Sequence, residues 1–362
     1  MPRRPADRLL EWFRSEQRGL PWRGGFPRDP YLVLVSEVML QQTKVERVVP
    51  AFLRFMTSFP TIERLASAAE AEVLRAFAGL GYYRRAFDLL GAARAIVALG
   101  GWPRERHELA RLPGVGPYTS AAVASFAFAG KHPPVDGNIS RVAARISRVE
   151  ERQGSGALRR AGEALALKLY ADRPTPEVWE ALMELGASIC TPRAPRCRSC
   201  PLVSDCEAFA AGQSELFPLA RRARPIEKHT WVALWIEDGA RRVLLRHVSS
   251  GSLLRGLWLP PLAPVRSEQT AEQTAHALAL EFGCGPSLRA LSGIVHTITH
   301  RRIQILPYLV TALPRVAEGD PDVVWADPLA PGVATSTLVG KIARARESVG
   351  GEQPRSPASE EQ

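Results

Sequence analysis

The chain has 362 residues, enough for two or three domains, and 46% of them are hydrophobic, enough to form buried cores. Its formal net charge is +10 and its isoelectric point is near 9.8, which favours a polyanionic partner such as a nucleic acid. The sequence has no apolar run of about 18 residues and no signal peptide of ordinary composition. We therefore expect a cytoplasmic protein, associated with the nucleoid and not with a membrane.

Apolar residues recur at spacings of three and four through residues 1–210, which predicts an all-α region. The predicted helices cover residues 7–17, 31–42, 47–58, 61–66, 70–77, 84–99, 106–112, 120–129, 139–149, 157–170 and 176–190. Proline or glycine marks many of the breaks between them, as is typical of helix boundaries.

The composition changes after residue 210. Residues 211–229 are polar, basic and proline-containing, which predicts a linker. Runs rich in β-branched and aromatic residues then predict four strands, at 231–236, 242–247, 294–296 and 303–311. A helix is predicted at 270–282, before the third strand. We therefore expect a smaller α+β domain over 230–346 and a disordered tail over 347–362.

Four of the five cysteines are clustered, with six, two and five residues between them: Cys190, Cys197, Cys200 and Cys206. Four thiolates at this spacing can surround one metal centre, either a [4Fe–4S] cluster or a tetrahedral zinc ion. Zinc ribbons use two Cys-x2-Cys pairs and this chain has one, which favours iron–sulfur and leaves zinc as the alternative. An odd, clustered set is also a poor disulfide framework.

The stretch from Leu112 to Asn138 contains two features with chemical meaning. Gly114 and Gly116 precede a predicted helix, and backbone amides exposed in such a turn can bind a phosphate. Asp136 follows in a Val-Asp-Gly-Asn turn. We expect the N-terminal field of the helix that starts near Ile139 to keep this carboxylate ionised.

Glu37 lies on a predicted helix among apolar neighbours, with Val33, Leu34 and Leu40 one turn away. An apolar surround raises the pKa of a carboxyl group and keeps its proton available for donation. The sequence therefore offers one carboxyl group expected to be protonated, that of Glu37, and one expected to be ionised, that of Asp136.

Three motifs, and their order along the chain, resemble those of the helix-hairpin-helix DNA glycosylases, and in particular the adenine glycosylase (MutY) family. They are Ser-Glu-Val-Met-Leu-Gln-Gln-Thr at 36–43, Leu-Pro-Gly-Val-Gly-Pro-Tyr at 112–118 with Val-Asp-Gly-Asn at 135–138, and the cysteine spacing. The resemblance implies a six-helix barrel of about 30–135 and a cluster module from 1–29 and 136–210. It also implies a monomer that binds double-stranded DNA with adenine opposite 8-oxoguanine or guanine and flips the adenine out.

Tyr118 separates two branches of this superfamily. Endonuclease III-like members carry a lysine here, whose amine forms a Schiff base and supports strand cleavage, whereas a phenol cannot form an imine. The resemblance therefore implies hydrolysis of the glycosidic bond alone. Glu37 would protonate the purine at N7, Asp136 would stabilise the oxocarbenium ion, and Tyr118 and Asn138 would support Asp136 and order the water.

The same resemblance implies the contacts with DNA and with the flipped base. Those expected in the first 210 residues, besides Gly114 and Gly116, are the pocket residues Arg18, Trp22, Arg23, Leu40 and Glu180, the wedge residues Gln42 and Tyr82, and Thr43 as a further contact. An amide-type residue is expected where this chain has Trp179.

The C-terminal domain resembles the Nudix-like domain of the same family. Glu268, Glu281 and Gly283 remain of the Nudix box, but other glutamates of the box are lost, so this domain should bind and not hydrolyse. The recognition loop reads Ile-Thr-His where Phe-Ser-His is usual, which leaves Thr299 and His300 as the expected contacts with 8-oxoguanine.

Two other functions remain open. A thymine or uracil mismatch glycosylase can carry tyrosine at the position of Tyr118, but usually lacks the long C-terminal domain. A non-catalytic DNA-binding module is the second alternative, and the joint presence of Glu37, Asp136 and Tyr118 argues against it.

Overall fold

The computed structural model describes residues 3–222, 224–249, 253–311, 320, 322–328, 333 and 335–348. Within the chain, contacts define two units, one formed by residues 1–68 and 87–223 and the other by residues 69–86 and 224–362. The predicted tail, 347–362, lies outside the described residues except for its first two positions. None of the described helices is long and apolar enough to cross a membrane.

The first unit is helical, and the sequence has the corresponding three-to-four spacing of apolar residues. Its helices are α1 (Pro5–Glu16), α2 (Pro30–Leu40), α3 (Val45–Ser58), α4 (Ile62–Ala66), α6 (Arg84–Ala98, which begins in the second unit), α7 (Arg106–Leu109), α8 (Pro117–Phe128), α9 (Gly137–Ile146), α10 (Gly156–Asp172), α11 (Glu177–Ser188) and α12 (Glu207–Ala210). Short 3-10 turns lie at Cys197–Ser199, Val203–Asp205 and Ser214–Leu216.

Helices α2 and α8 are mostly apolar, without a separate polar face, and pack against each other in the interior. Pro30 and Pro117 stand at their first positions, where the missing N–H of proline costs nothing. Helix α8 therefore begins three residues before its predicted start at 120. This pairing brings the Glu37 segment and the Tyr118 segment together.

Helix α9 packs against α10 and α11. Asp136 caps α9, because its Oδ1 accepts hydrogen bonds from the backbone N–H groups of Asn138 (2.9 Å) and Ile139 (2.7 Å). Gly186 on α11 lets the two helices approach: a Cβ built there would lie 2.5 Å from the Cβ of Asn138. Residues 136–138 are thus held between a cap and a close helix contact.

The second unit is an α+β domain. Its strands are β1 (Glu227–Ile236), β2 (Val243–His247), β3 (Trp258–Leu259), β4 (Leu262–Pro264), β5 (Leu288–Ala290), β6 (Ile294–Ile298), β7 (Arg301–Val310) and β8 (Val323–Ala326). Its helices are α5 (Glu70–Ala76), α13 (Ala271–Glu281) and α14 (Thr337–Glu347).

Two sheets form this domain. The larger has the order β4-β1-β7-β5, with β6 also paired to β7, and the smaller has the order β3-β2-β8. Strands β1 and β7 are parallel, with Glu227 opposite Arg301 and Ile236 opposite Val310. Apolar residues of β1 and α13, among them Leu234 and Leu278, form the core. The predicted fold class, an all-α region followed by a smaller α+β domain, is confirmed.

Candidate active site

A cavity of about 390 Å³ in the first unit brings together most of the residues predicted for the site. The predicted residues that line it are Arg18, Trp22, Arg23, Glu37, Leu40, Thr43, Tyr118, Asp136, Asn138 and Glu180. They come from the segment before α2, from α2 itself, from the loop between α2 and α3, and from the first turns of α8, α9 and α11. Segments far apart in the sequence therefore build one concave site.

Glu37 lies near the end of α2 and is half-buried. Its pKa is raised to about 7, chiefly because burial disfavours the charged form, and a hydrogen bond with Tyr118 opposes the rise. The negative charges of Asp136 and Glu180 raise this pKa further, while the positive charge of Arg28 lowers it. Glu37 can therefore carry a proton at neutral pH, as predicted from its apolar neighbours.

The Tyr118 phenol shares that hydrogen bond. Burial and the nearby charge of Glu37 raise the pKa of Tyr118 well above its ordinary value, so the phenol stays protonated and donates to the carboxyl group. A phenol in this position can orient an acid, and it offers no amine for imine chemistry.

Asp136 uses both carboxylate oxygens. Besides the two backbone bonds that cap α9, its Oδ2 accepts a hydrogen bond from Asn138 Nδ2 at 2.8 Å. Burial nevertheless raises the pKa of Asp136, against the effect of these bonds and of the positive charge of Arg141. The predicted field of the helix N-terminus is therefore present, but burial has the larger effect on the pKa.

Arg141 supports this arrangement and was not predicted. Its Nη2 donates to Asn138 Oδ1 and to the carbonyl oxygen of Gly186, both at 2.8 Å, and its Nε donates to the carbonyl oxygen of Cys190 at 2.8 Å. The amide of Asn138 is thus fixed with its nitrogen toward Asp136 and its oxygen toward Arg141.

One side of the cavity is a row of alternating charges that we call the charged wall. It consists of Arg18, Glu184, Arg23, Glu180 and Arg28. Glu184 accepts from Arg18 Nε at 2.6 Å and from Arg23 Nη2 at 2.7 Å. Glu180 accepts from Arg23 Nε at 2.9 Å and from Arg28 Nη2 at 2.6 Å.

The charged wall is buried except at its Arg18 end, where the side chain is 39% exposed. Buried charges are tolerated when each has a well-placed partner, as here. Glu184 and Arg28 were not predicted. Glu184 follows Glu180 by one helical turn on α11, and that spacing was the available signal for a second acid on the same face.

Trp22 and Trp179 occupy different environments. Trp22 is buried, lines the cavity and packs edge-on against Phe52 at a ring separation of 5.2 Å. Trp179 does not line the cavity: its Nε1 donates to the carbonyl oxygen of Ala166 at 3.2 Å, and its ring stacks on Tyr170. Trp179 is therefore a core residue, and Glu180 next to it faces the site.

Other predicted contact residues lie outside the cavity lining. Gln42, Tyr82 and Thr299 share a left-handed backbone, with φ of 56°, 49° and 56°, which is uncommon for residues other than glycine and recurs at functional sites. Gly114 has φ of +68°, and a Cβ there would lie 2.3 Å from Asp88, so only glycine fits. The Gly116 backbone needs no glycine, since its φ is −82°.

The recognition-loop residues belong to the second unit, where β6 turns into β7. His300 Nε2 lies 3.0 Å from Oε1 of Glu227, and Arg301 Nε donates to Oε2 of the same carboxylate at 2.7 Å. The other ring nitrogen of His300 lies 3.2 Å from the Thr299 hydroxyl. Glu227, which was not predicted, thus fixes the orientation of His300.

The four clustered cysteines line one cavity, separate from the first. Arg145, which is buried, donates from Nη1 to the sulfur of Cys190 at 3.3 Å, and the Cys206 sulfur lies 3.4 Å from the carbonyl oxygen of Arg145. In the described part of the chain, no group of three His, Cys, Asp or Glu residues is arranged to hold a metal ion. Four thiols around one cavity, with a donor aimed at a sulfur, fit a cluster of several metal atoms.

The contact between α9 and α11 predicts a stability effect. Gly186→Ala must displace Asn138, whose Cα would lie 3.0 Å from the new Cβ. We expect a loss of about 1–3 kcal/mol in the free energy of unfolding, measured by urea denaturation. The control is Gly156→Ala on α10, where the nearest atom to a built Cβ is the end of the flexible Arg160 side chain at 3.6 Å. Equal stability of the two variants would contradict this close contact.

The helical fold and its site define a class of protein, and residues 35–166 match the family model described as "HhH-GPD superfamily base excision DNA repair protein". The chain is 33% identical over 358 residues to the adenine DNA glycosylase of Homo sapiens, covering 83% of this chain and 65% of that protein. It is 41% identical over 223 residues to the adenine DNA glycosylase of Mycolicibacterium smegmatis, covering 61% of this chain and 73% of that protein. The chain belongs to the adenine DNA glycosylase family.

A solved structure of a thermostable thymine-DNA glycosylase is also similar, with a TM-score of 0.49 and 30% identity over 57% of this chain and 95% of that one. The chain spans about two thirds of the length of the human relative. Its architecture is a helical domain, which contains the residues matched by the base-excision family model, followed by a smaller α+β domain.

Proposed function

We propose that this chain is a monofunctional adenine DNA glycosylase of base excision repair. It flips out adenine mispaired with 8-oxoguanine or guanine and hydrolyses the N-glycosidic bond. The observation that carries the proposal is the single cavity that holds a carboxyl group of pKa about 7, Glu37, together with a capped and hydrogen-bonded second carboxyl group, Asp136. Membership of the adenine DNA glycosylase family supports adenine as the base.

Protonation of the leaving base is the first requirement, because N9 of adenine would otherwise depart as an anion. Glu37 in its protonated form donates to N7, and the electrons of the breaking C1′–N9 bond move into the protonated purine. The hydrogen bond from Tyr118 orients the Glu37 carboxyl group. Lysine is absent from this position, so the proposal includes no imine and no strand cleavage.

Charge stabilisation at the sugar is the second requirement. The ionised Asp136 carboxylate stabilises positive charge that develops at C1′, and its bonds to Asn138 and Ile139 hold it in place before the reaction begins. Water then adds to C1′ and loses a proton, which the Glu37 carboxylate left by the first step can accept. Tyr118 and Asn138 order that water in this proposal.

The remaining predicted residues are assigned to binding. Arg18, Trp22, Arg23, Leu40, Thr43 and Glu180 contact the flipped base, and their shared cavity supports this. Gln42 and Tyr82 enter the base stack, Gly114 and Gly116 bind phosphate through backbone amides, and Thr299 and His300 contact 8-oxoguanine. The left-handed backbones of Gln42, Tyr82 and Thr299 support specialised roles for these three.

Four thiols around one cavity support a [4Fe–4S] cluster held by Cys190, Cys197, Cys200 and Cys206, with zinc as the alternative. When bound, the cluster would cross-link the loop and hold Arg193, Arg196 and Arg198 where they can contact phosphate. Visible absorbance and iron content of the purified protein distinguish the two metals.

Single-turnover excision from three duplexes tests the function: adenine opposite 8-oxoguanine, adenine opposite guanine, and thymine opposite guanine. We expect free adenine and an intact abasic strand from the first two. Rapid nicking through a borohydride-trapped adduct would instead identify a lyase. Faster release of thymine would favour the mismatch glycosylase, and tight binding without release would favour a DNA-binding module.

The pKa of Glu37 predicts the pH dependence of excision. Because the reaction needs the protonated form, we expect the single-turnover rate constant to fall above about pH 7, tending to tenfold per pH unit. On the acid side the rate falls as Asp136 takes up a proton, above the usual range of an aspartate because its pKa is raised. Rates measured from pH 5 to pH 9 check this, and a constant rate between pH 7 and pH 9 would contradict the role of Glu37.

A further inference from the structure

Arg28 is an arginine buried at the inner end of the charged wall. Its side chain is 8% exposed. Two of its nitrogens engage both oxygens of one carboxylate, since Nη1 donates to Glu180 Oε1 at 2.9 Å and Nη2 donates to Oε2 at 2.6 Å. Such two-pronged pairing fixes the plane of the carboxylate as well as its position.

The site holds Arg28 firmly from both sides. Its guanidinium carbon lies 4.4 Å from the ring centre of Phe26 and 5.6 Å from that of Phe126. Its backbone N–H donates to the carbonyl oxygen of Phe126 at 2.9 Å. Phe126 itself lines the cavity, so the packing that orients Arg28 is part of the site.

One donor of Arg28 is left without a partner. Its Nε is buried and makes no hydrogen bond to any residue that the structure describes. An unpaired buried donor costs about 1–3 kcal/mol. A buried donor that lacks a partner needs an explanation, and a role in a functional site is one.

Arg28 and Glu180 are also two of the charged groups around Glu37. The others that act on its carboxyl group are Tyr118, through a hydrogen bond, and Asp136, through its charge. Glu180 disfavours the ionised form of Glu37 and Arg28 favours it. The Arg28–Glu180 pair therefore balances opposite charges beside the proposed acid.

We propose that Arg28 is a positioning residue of the excision site: it fixes the Glu180 carboxylate on the base-binding wall and offsets the negative charge that Glu180 places beside Glu37. This inference rests on the proposed function. The two effects of Arg28, its positive charge and its paired hydrogen bonds to Glu180, can be separated. A lysine supplies the charge but cannot form both hydrogen bonds in the same geometry. A carboxylate held this way accepts a hydrogen bond from the amino group of a base and repels a carbonyl oxygen at the same place.

The test compares Arg28→Met and Arg28→Lys by single-turnover excision of adenine opposite 8-oxoguanine across pH. Above about pH 7 the excision rate is expected to fall, and we call this decrease the alkaline fall. In Arg28→Met we expect it to move to higher pH by about half a unit or more, since loss of a nearby positive charge raises the pKa of Glu37. We also expect the plateau rate, which is the maximal rate of the pH profile, to drop roughly tenfold or more, since Glu180 loses its fixed position. In Arg28→Lys the plateau should drop while the alkaline fall stays near its parental pH.

Arg14→Met is the matched control. Arg14 also pairs with both oxygens of one carboxylate on helix α11, since its Nε donates to Glu177 Oε1 at 3.0 Å and its Nη2 donates to Oε2 at 2.5 Å. Unlike Arg28, it is exposed and does not line the cavity. We expect this variant to keep the parental plateau and the parental pH profile. A shift in Arg14→Met as large as that in Arg28→Met would overturn the specific role of Arg28.

Glu180→Gln keeps the test decisive if Arg28→Met does not fold. It removes the negative charge, so the alkaline fall should move to lower pH, and the double variant Arg28→Met/Glu180→Gln should return toward the parental position. An unmoved pH profile in Arg28→Met or in Glu180→Gln overturns the inference while leaving the proposed function intact. Failure of the parental chain to release adenine is the separate result that overturns the function itself.

Discussion

Glu37→Gln is expected to lower the single-turnover rate of adenine release by about 10²–10⁴-fold, while affinity for the duplex stays within a few-fold of the parental value. Glutamine matches the shape of glutamate and can still accept a hydrogen bond from Tyr118, but it cannot deliver a proton. Quenched single-turnover assays with adenine opposite 8-oxoguanine measure the rate, and a gel-shift titration with the same duplex measures binding. Turnover near the parental rate would exclude Glu37 as the acid.

Thermal unfolding of Glu37→Gln separates a chemical defect from a folding defect. Folding raises the pKa of Glu37 from 4.5 to about 7. Ionisation of Glu37 therefore lowers the stability of the parental protein as the pH rises through this window, and the effect is complete above about pH 7. The variant lacks this titration, so we expect its melting temperature to exceed the parental one at pH 8 and to match it near pH 4.5. A lower melting temperature at pH 8 would show that Glu37 is needed for the fold.

The local parts of the site could be predicted from the sequence because they depend on adjacent residues. An acid within an apolar helix predicts a raised pKa, and Glu37 has one. An aspartate just before a predicted helix predicts an interaction with the N-terminus of that helix, and Asp136 caps α9. Both conclusions need only one turn of helix, where side-chain spacing is fixed by the backbone.

The charged wall could not be predicted, because its partners meet only after folding. Arg28 and Glu180 are 152 positions apart, and the sequence around either residue does not indicate the other as its partner. The orientation of Trp179 is a similar case, since only the packing of α10 against α11 decides that its ring faces Tyr170. Tertiary contacts therefore decide which of two adjacent residues, Trp179 or Glu180, reaches the cavity.

Strand boundaries show the same limit. Strand β1 begins at Glu227, four residues before its predicted start, because pairing with β7 continues beyond the apolar run. Strands β3, β4, β5 and β8 have two to four residues and were not predicted, since such short segments carry too little alternation to recognise. Phe217 lies in the predicted linker, yet it is buried in a core with Ala144 and Leu158.

Asp136→Asn is expected to lower the excision rate by about 10²–10³-fold with little loss of stability. Asparagine caps a helix as well as aspartate does, so its side-chain oxygen can keep the bonds from the backbone N–H groups of Asn138 and Ile139. What the variant lacks is the negative charge at the sugar. It also lacks the second oxygen that accepts from Asn138 Nδ2, so two amide nitrogens would face each other there.

Asp29→Asn is the matched control for Asp136→Asn. Asp29 caps α2, the helix that carries Glu37, by accepting from the backbone N–H of Tyr31 at 2.8 Å, and it does not line the cavity. The same chemical change at this exposed cap should leave both the excision rate and the melting temperature near parental values. If Asp136→Asn and Asp29→Asn excised adenine equally fast, Asp136 would be only a helix cap. A slow Asp136→Asn that melts with the parental protein instead assigns the lost rate to the site itself, that is to the missing charge and the lost bond from Asn138, because capping and fold are then unchanged.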